Sequence, residues 1–341
     1  MHHRNEPGHP GGRVTIYDVA RHAGVSKSLV SLVLRDSPQV SPARREAVQR
    51  AITELGYRPS RAAATLAGQR SNTIAVVIDD FANPWFVELL AGIRRGLQGS
   101  GCHVSVADSA LNSHLDESPV QGFLAARADG LVLAAEPSEQ DTAGIEVPTV
   151  LVGSRWLGVA GADRVVTDEA SGAAMAVDHL YRLGHRRIAF LAGSSGPADE
   201  RAQGYRAEAL AHGLDPIVTA PVDTTEAGGY AAARGLLAEH PDGSVSAVIA
   251  ANDPMALGAW QALREAGLQV PRDVSLIGFD NSALGAVGLI QLTSVDIRSA
   301  ELGVQAASRV LARIADPGLP LTQVALRPRL VQRATTGPYP G

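Results

Sequence analysis

The sequence predicts a small all-α head followed by a larger two-lobed α/β body, with parallel sheets that carry helices on both faces. Three observations predict it. Residues 13–57 hold three short helical patterns, each with its own start signal. Residues 72–333 alternate strand-like apolar runs with amphipathic helical stretches, the pattern of repeated β-α-β units, and that length needs two lobes. The charge is also uneven. Residues 1–70 carry eleven Lys/Arg against five Asp/Glu, although the 341-residue chain has a net charge of −5. A basic head on an acidic body is the electrostatic footprint of a nucleic-acid binder.

Composition excludes several classes. A hydrophobic fraction of 45% is that of a globular protein. Cys102 is the single cysteine, which rules out a disulfide framework and fits a reducing cytoplasm. No apolar run approaches the ~20 residues of a membrane span. The opening MHHRNEPGHPGGR lacks the apolar stretch of a secretory signal. The expected localisation is therefore cytoplasmic, with no membrane contact. Residues 1–12 read as a disordered arm, whose His2, His3 and His9 form no rigid metal-ligand set.

In the head, Thr15 precedes Ile16-Tyr17-Asp18, a capping box with Asp18 reaching back from the third helical position. Ile16, Val19, Ala20 and Ala23 follow at helical spacing, and Gly24 ends the helix. Ser26 caps a second helix with an apolar face of Leu29, Val30, Val33 and Leu34. Ser41-Pro42 starts a third helix, buried through Val48, Ile52 and Leu55. Helix, glycine turn, helix and supporting helix make a helix-turn-helix arrangement. The second helix exposes Lys27 and Ser28 in its first turn and Ser31 and Leu32 one turn on, where a recognition helix meets base edges. Arg21, Arg35, Arg44, Arg45 and Arg50 are candidates for phosphate contact.

Three segments of the head, T-I-Y-D-V-A-R-H-A-G-V-S-K-S-L-V-S-L-V-L, V-S-P-A-R-R-E-A-V and L-G-Y-R-P-S-R-A-A-A-T-L-A-G, resemble the lactose-repressor (LacI/GalR) family. The resemblance implies DNA contacts from Thr15, Tyr17, Ser26, Lys27, Ser28, Ser31, Leu32, Arg35 and Ser41. This chain departs from the common V-S-x-x-T-V-S-R-V-L-N by Leu29, Leu32 and Arg35. Leu32 cannot grip guanine as an arginine would, although it can meet a thymine methyl. No operator sequence is carried over.

Residues 58–71 read as a hinge. Arg58-Pro59 breaks the third helix, and Ser60 caps a short Ala-rich helix over Arg61–Ala67 that stops at Gly68. A plain linker, or Leu66 packing on a neighbouring domain, would read the same way. The resemblance implies more: paired hinge helices in the minor groove, with Arg61 in contact, Ala63 at the helix–helix position and Leu66 as the wedge in a base step. So short a helix is unstable alone and should order only on DNA.

In the body the clearest strands are Thr73–Ile78, Val104–Ala107, Gly130–Leu133, Thr149–Val152, Arg187–Leu191, Ala247–Ala250 and Val274–Ile277. Helices are expected over Pro84–Gly99, Ser171–Leu183, Arg201–Ala211, Thr225–Glu239, Pro254–Ala266 and Ser299–Ala315. A first lobe of about 72–167 and 296–325 and a second of about 168–290 and 326–333 leave a tail at 334–341. Ligands of such sheets bind at the carboxyl ends of strands. No phosphate-loop spacing, nucleophile elbow or paired histidine motif is present, so no enzyme activity is expected. His179 and His185 read as structural.

N-P-W-F (83–86), D-H-L-Y-R-L-G-H-R-R-I-A-F-L-A-G (178–193), R-A-Q-G-Y (201–205), N-D-P-M-A-L-G (252–258), P-R-D-V-S-L-I-G-F-D (271–280) and L-V-Q-R-A-T-T (330–336) extend the resemblance through the body, in the family's order. It implies a periplasmic-binding-protein-like sensor with Arg201, Asn252 and Asp280 in its cleft. A forked donor, an amide and a carboxylate suit vicinal hydroxyls or a nucleobase edge. Asn252 and Asp280 could instead cap helices, and Arg201 could pair with Asp199 or Glu200. Asp80, Phe81 and Phe86 follow the first strand and face the cleft from its other side, with Trp85 a stacking or core aromatic. The aromatic some relatives carry near Thr224 is missing. The implied function is a repressor that binds a palindromic operator as a homodimer and answers a small-molecule effector, a sugar or its derivative, with no cofactor. The alternatives are a purine- or nucleoside-corepressed regulator, or a small-molecule-binding protein without a transcriptional role.

Overall fold

The computed structural model describes residues 14–35, 37–57, 70–111, 114, 118–135, 142, 144–154, 159–241 and 243–339. The arm at 1–12 and the hinge residues Arg61, Ala63 and Leu66 lie outside them. Contacts divide the chain into two units, Met1–Ser71 and Asn72–Gly341.

The first unit contains α1 (Ile16–His22), α2 (Lys27–Leu34) and α3 (Pro42–Leu55). At α1 the Thr15 N–H and hydroxyl both donate to the Asp18 carboxylate, at 2.9 and 2.7 Å. These bonds hold the Asp18 carboxyl below its ordinary range. Gly24 supplies the positive φ of +63° that turns the chain toward α2. Ser26 caps α2 by accepting from the Leu29 N–H at 3.2 Å. Ser41 occupies the N-cap of α3 without a side-chain bond, so Pro42 carries the start signal. Val19, Ala20, Val30, Val33, Val40, Val48 and Ala51 form the core. Leu34, placed on the apolar face by the sequence, is 38% exposed, whereas Leu32 is half-buried against the core. The two leucines flank the Val30–Val33 stripe on opposite sides, and only the Leu32 flank is covered.

The second unit contains two six-stranded sheets. The first runs β11-β5-β4-β3-β1-β2, all parallel, from β1 (Thr73–Ile78), β2 (His103–Asp108), β3 (Gly130–Ala134), β4 (Thr149–Val152), β5 (Asp163–Thr167) and β11 (Gln323–Leu326). The second runs β12-β10-β9-β8-β6-β7, from β6 (Ile188–Leu191), β7 (Ile217–Val218), β8 (Ala247–Ala250), β9 (Ser275–Phe279), β10 (Thr293–Asp296) and β12 (Arg329–Val331). Among the described residues only β12 is antiparallel to its neighbour. The helices are α4 (Pro84–Gly96), α5 (Pro119–Ala125), α6 (Glu169–Arg182), α7 (Gly196–Ala211), α8 (Glu226–Glu239), α9 (Asp253–Glu265) and α10 (Ser299–Ala315). The sequence reading started α7 at Arg201. It begins five residues earlier at Gly196, with Pro197 in the first turn, where its missing N–H costs nothing.

Helices pair at glycine-mediated close approaches. A Cβ on Gly258 of α9 would sit 1.8 Å from the Glu226 carbonyl oxygen of α8, and one on Gly204 of α7 would sit 2.3 Å from that of Ala170 in α6. No side chain fits there, so these backbones touch.

The chain crosses between sheets three times: from β5 to α6, from β10 to α10 and from β11 to β12. The Thr167 hydroxyl donates to the Ile297 carbonyl at 2.8 Å, tying the first crossing to the second. Asp296 belongs to β10 and so to the second lobe, one residue beyond the boundary read from sequence. The expected tail at 334–341 is corrected more strongly. The Leu276 N–H donates to the Thr335 carbonyl at 2.8 Å and the Gly337 N–H to the Ser275 hydroxyl at 3.1 Å. These residues bond the start of β9, ahead of its pairing with β10 at Ile277, where backbone groups need partners. His185 is fully enclosed there, bonded to Ser246 and Ser275 hydroxyls at 2.9 and 3.0 Å, and is structural as expected.

Candidate functional site

In the head, Thr15, Tyr17, Ser26, Lys27, Ser28, Arg35 and Ser41 are exposed, while Ser31 and Leu32 are half-buried. The structure brings Tyr17 of α1 and Lys27 of α2 together. The Lys27 ammonium donates to the Tyr17 hydroxyl at 3.2 Å and lies 4.9 Å from the ring centre. A polar, exposed first turn of α2, backed by a buried apolar stripe, is a surface that a groove can accept. Of the flanking arginines, Arg45 is half-buried and donates to the Ser37 carbonyl at 2.6 Å. It is therefore a structural strut rather than a free phosphate contact. Arg21 and Arg50 pair with Asp18 and Glu46 at 3.7 and 3.1 Å, on the surface.

In the body, a cavity of about 370 Å³ lies at the carboxyl ends of strands from both sheets. Asp79, Asp80, Asn83, Trp85 and Phe86 line it after β1. Ser195, Arg201, Thr224, Asn252, Leu257, Asp280 and Leu284 line it from the second lobe.

Arg201 is the centre of this wall. It is 6% exposed, and its guanidinium spends all three nitrogens: Nε on Glu169 at 2.7 Å, Nη1 on the Ala251 carbonyl at 2.5 Å and Nη2 on Asp280 at 3.2 Å. Phe279 lies under it, 4.6 Å from the ring centre. Burial works against the guanidinium charge, but Glu169 and Asp280 override it and hold its pKa above the ordinary value. Arg201 thus does not pair with Asp199 or Glu200. Asp280 follows β9 at a φ of +96° and caps no helix. Burial, with the Asp253 and Glu169 carboxylates nearby, pushes its pKa up to about 7, against the pull of Arg201. Asn252 does cap α9: its Oδ1 accepts from the Met255 N–H at 2.9 Å, while its Nδ2 donates to the Thr224 carbonyl at 2.9 Å. One side chain therefore fixes two segments of the cavity wall.

Asp80 lines the cavity and accepts from the Ala82 N–H at 2.7 Å. Phe86 lines it from the core. Trp85 stands edge-on to Phe86 at 4.8 Å and is 7% exposed, a core aromatic with one edge on the cavity. Phe81 is corrected. It is 47% exposed and is not among the residues that line the cavity, although Asp80 and Ala82 on either side of it are; its N–H bonds to Asp108 at 2.7 Å.

Two residues escaped the sequence reading. Glu169, 3% exposed at the start of α6, is the closer of the two carboxylates that Arg201 pairs with. Asp253, 1% exposed, accepts from the Ser282 N–H and the Ser294 hydroxyl, both at 2.6 Å, and so holds the segment after β9 that carries Asp280. Burial pushes its pKa up to about 6. A partial signal lay in N-D-P, where an acid follows the cap. Glu169 offered none.

The elevated Asp280 has a stability consequence. Between the ordinary carboxylate value and about 7 the folded chain holds a proton that the unfolded chain has released. That contribution is present at low pH and lost as pH rises through about 7. Asp280→Asn, which cannot titrate, should gain stability relative to the parent as pH is raised from about 5 to about 8 in urea melts. A difference that stays flat across this window would mean that Asp280 is already ionised at its lower end.

Two family models match the chain. One is described as bacterial regulatory proteins, lacI family, at residues 15–60, and the other as a periplasmic binding protein-like domain, at residues 177–336. The chain is 37% identical over 342 residues to the HTH-type transcriptional regulator CelR of Thermobifida fusca, covering 94% of this chain and 98% of that one. A solved CelR–cellobiose complex matches with a TM-score of 0.69 at 34% identity, over 95% of this chain and 100% of that one. The lac repressor dimer bound to operator and the anti-inducer ONPF matches with a TM-score of 0.80 at 30% identity, over 96% and 100%.

Proposed function

The chain belongs to the lacI family of bacterial regulatory proteins, and from that premise we propose that it is a repressor whose head reads an operator as a homodimer and whose cleft takes a carbohydrate. It is a regulator and not an enzyme, as its relatives are. It acts in the cytoplasm, where its DNA lies, and needs no cofactor beyond the effector. Among the described residues no helix is long and apolar enough to cross a membrane.

The observation that carries the carbohydrate reading is the Arg201–Asp280 pair on the wall of a 370 Å³ cavity that also has Asp80 and the Trp85 edge. A cavity of that size suits a small polar ligand. The 3.2 Å link from Arg201 Nη2 to Asp280 is the longest of the three that Arg201 makes, so a ligand hydroxyl enters there, accepting from Arg201 and donating to Asp280. Contact with Asp80 and Trp85 then bridges the two lobes. Such a ligand favours one lobe separation by its differential affinity alone, and the hinge passes that preference to the heads. The relative solved with cellobiose supports this class of ligand.

The test is a set of thermal melts of the full chain against mono- and disaccharides, cellobiose included, beside nucleosides and purines. A true effector at about 100 times its Kd adds about 2.7 kcal/mol, several degrees in Tm. The expected hit is a sugar, with its shift lost in Asp280→Asn. A hit confined to the purines and nucleosides would overturn the carbohydrate class. The same ligand added to an operator-binding titration gives the sign of the response.

A further inference from the structure

Away from the cleft, α6 and α7 bring together two carboxylates and an imidazole. Asp178 stands on α6, Glu208 on α7, and His212 at the C-cap of α7, one turn after Glu208. Their nearest ligand atoms all lie within 4.8 Å of one another. We propose that Asp178, Glu208 and His212 form a binding site for a divalent cation of the zinc class.

The spacing carries the argument. Two zinc–ligand bonds of ~2.0–2.1 Å at the tetrahedral angle put the ligand atoms about 3.3 Å apart. His212 Nε2 lies 3.1 Å from Glu208 Oε1 and 3.7 Å from Asp178 Oδ1, which brackets that value. Asp178 uses its other oxygen on Arg182, at 2.9 Å, which fixes the carboxylate and leaves Oδ1 turned to the imidazole. The His212 ring is held by stacking on Tyr181, with centres 4.1 Å apart and planes 18° from parallel.

The ordinary alternative is a histidine–carboxylate ion pair, and a second observation weighs against it. His212 Nε2 is buried, yet it makes no hydrogen bond of acceptable geometry to either carboxylate. An imidazolium would aim its N–H at one of them. Here the nitrogen sits beside both oxygens and in line with neither, as a ligand facing a shared cation does. The three side chains keep 23% to 31% of their surface exposed, which places the cluster just under the protein surface.

The ligands stand on rigid elements, since α6 and α7 touch through backbone at Gly204. The same two helices carry Glu169 and Arg201. Asp178 is nine positions after Glu169, roughly 14 Å along α6, and Glu208 is seven after Arg201, roughly 10 Å along α7. A cation at the far end therefore braces the pair of helices that supports the wall of the cleft.

The test is calorimetric titration of the full chain with zinc chloride alone. So that zinc held by His2, His3 or His9 is not counted, the reference is the triple variant His2→Ala/His3→Ala/His9→Ala. It should keep one tight equivalent and a rise in Tm on adding zinc. Adding Glu208→Gln or His212→Ala to it should abolish both. Glu208→Gln preserves size and shape, and its melt without metal shows whether the fold is intact. Cobalt chloride should give the visible absorption of a tetrahedral site, absent in the Asp178→Asn variant. A tight equivalent that survives Glu208→Gln and His212→Ala, or one that vanishes with the arm histidines, overturns the site.

Discussion

Arg201→Ala should cost the body about 3–5 kcal/mol of stability, the penalty of removing one partner from a buried charge network. In thermal melts this is on the order of 10 °C. The reason is what remains. Glu169 and Asp280 are 3% and 7% exposed, and Arg201 donates to both. Without the guanidinium, two carboxylates stay buried with no donor from that side, and Asp253 adds a third acid nearby. The Ala251 carbonyl loses its 2.5 Å bond as well. Neutralising the acids should restore part of the loss, so Arg201→Ala/Glu169→Gln/Asp280→Asn should melt higher than Arg201→Ala. If the triple variant melts no higher than the single one, the loss belongs to packing over Phe279 rather than to charge. The same reasoning decides how effector binding is read. A loss of binding in Arg201→Ala mixes a missing contact with a weakened fold. In Asp280→Asn, Arg201 keeps Glu169 and Ala251, so a loss there speaks for the contact.

What the sequence disclosed follows from where each signal originates. Thr73–Ile78, Thr149–Val152 and Ala247–Ala250 were read with the observed bounds, because strands buried on both faces are continuous apolar runs. Ser299–Ala315 was read equally well, from its helical period. β5 was missed because it opens on Asp163, a buried acid neutralised by Arg313 and Arg309 from α10, some 146 to 150 positions away. β11 was missed because it is largely exposed, and β7 because it has two residues. At the cleft, Arg201, Asn252 and Asp280 were legible through motifs. Glu169 was not, since its burial and its role both arise from a helix that arrives 32 residues later. Phe81 was overread: a place between two lining residues, Asp80 and Ala82, does not put its own side chain on the cavity.

In the head the largest expected effect comes from one side chain placed against local preference. Lys27 is the first residue of α2, a helix with no acid in its first turn. A cation there opposes the helix dipole and costs about 0.3–1 kcal/mol. Positions that break a local rule are where function is found. Lys27 is exposed, and Tyr17 holds its ammonium by a hydrogen bond and by the ring face. A point charge fixed at the mouth of a recognition helix suits a phosphate oxygen better than a base edge, which favours a forked donor. Lys27→Ala should therefore move stability and binding in opposite directions. The head should melt slightly higher, while operator affinity falls by roughly tenfold or more and the slope of log K against log salt falls by about one. The loss should be equal on operator and on unrelated DNA, because phosphates carry no sequence. If instead the loss is confined to operators bearing one particular base pair, with the salt slope unchanged, Lys27 reads a base and the role of Tyr17 is to aim it. Tyr17→Phe separates the two further: it keeps the ring beneath the ammonium and removes the hydroxyl, so it should weaken binding less than Lys27→Ala while leaving the salt slope intact.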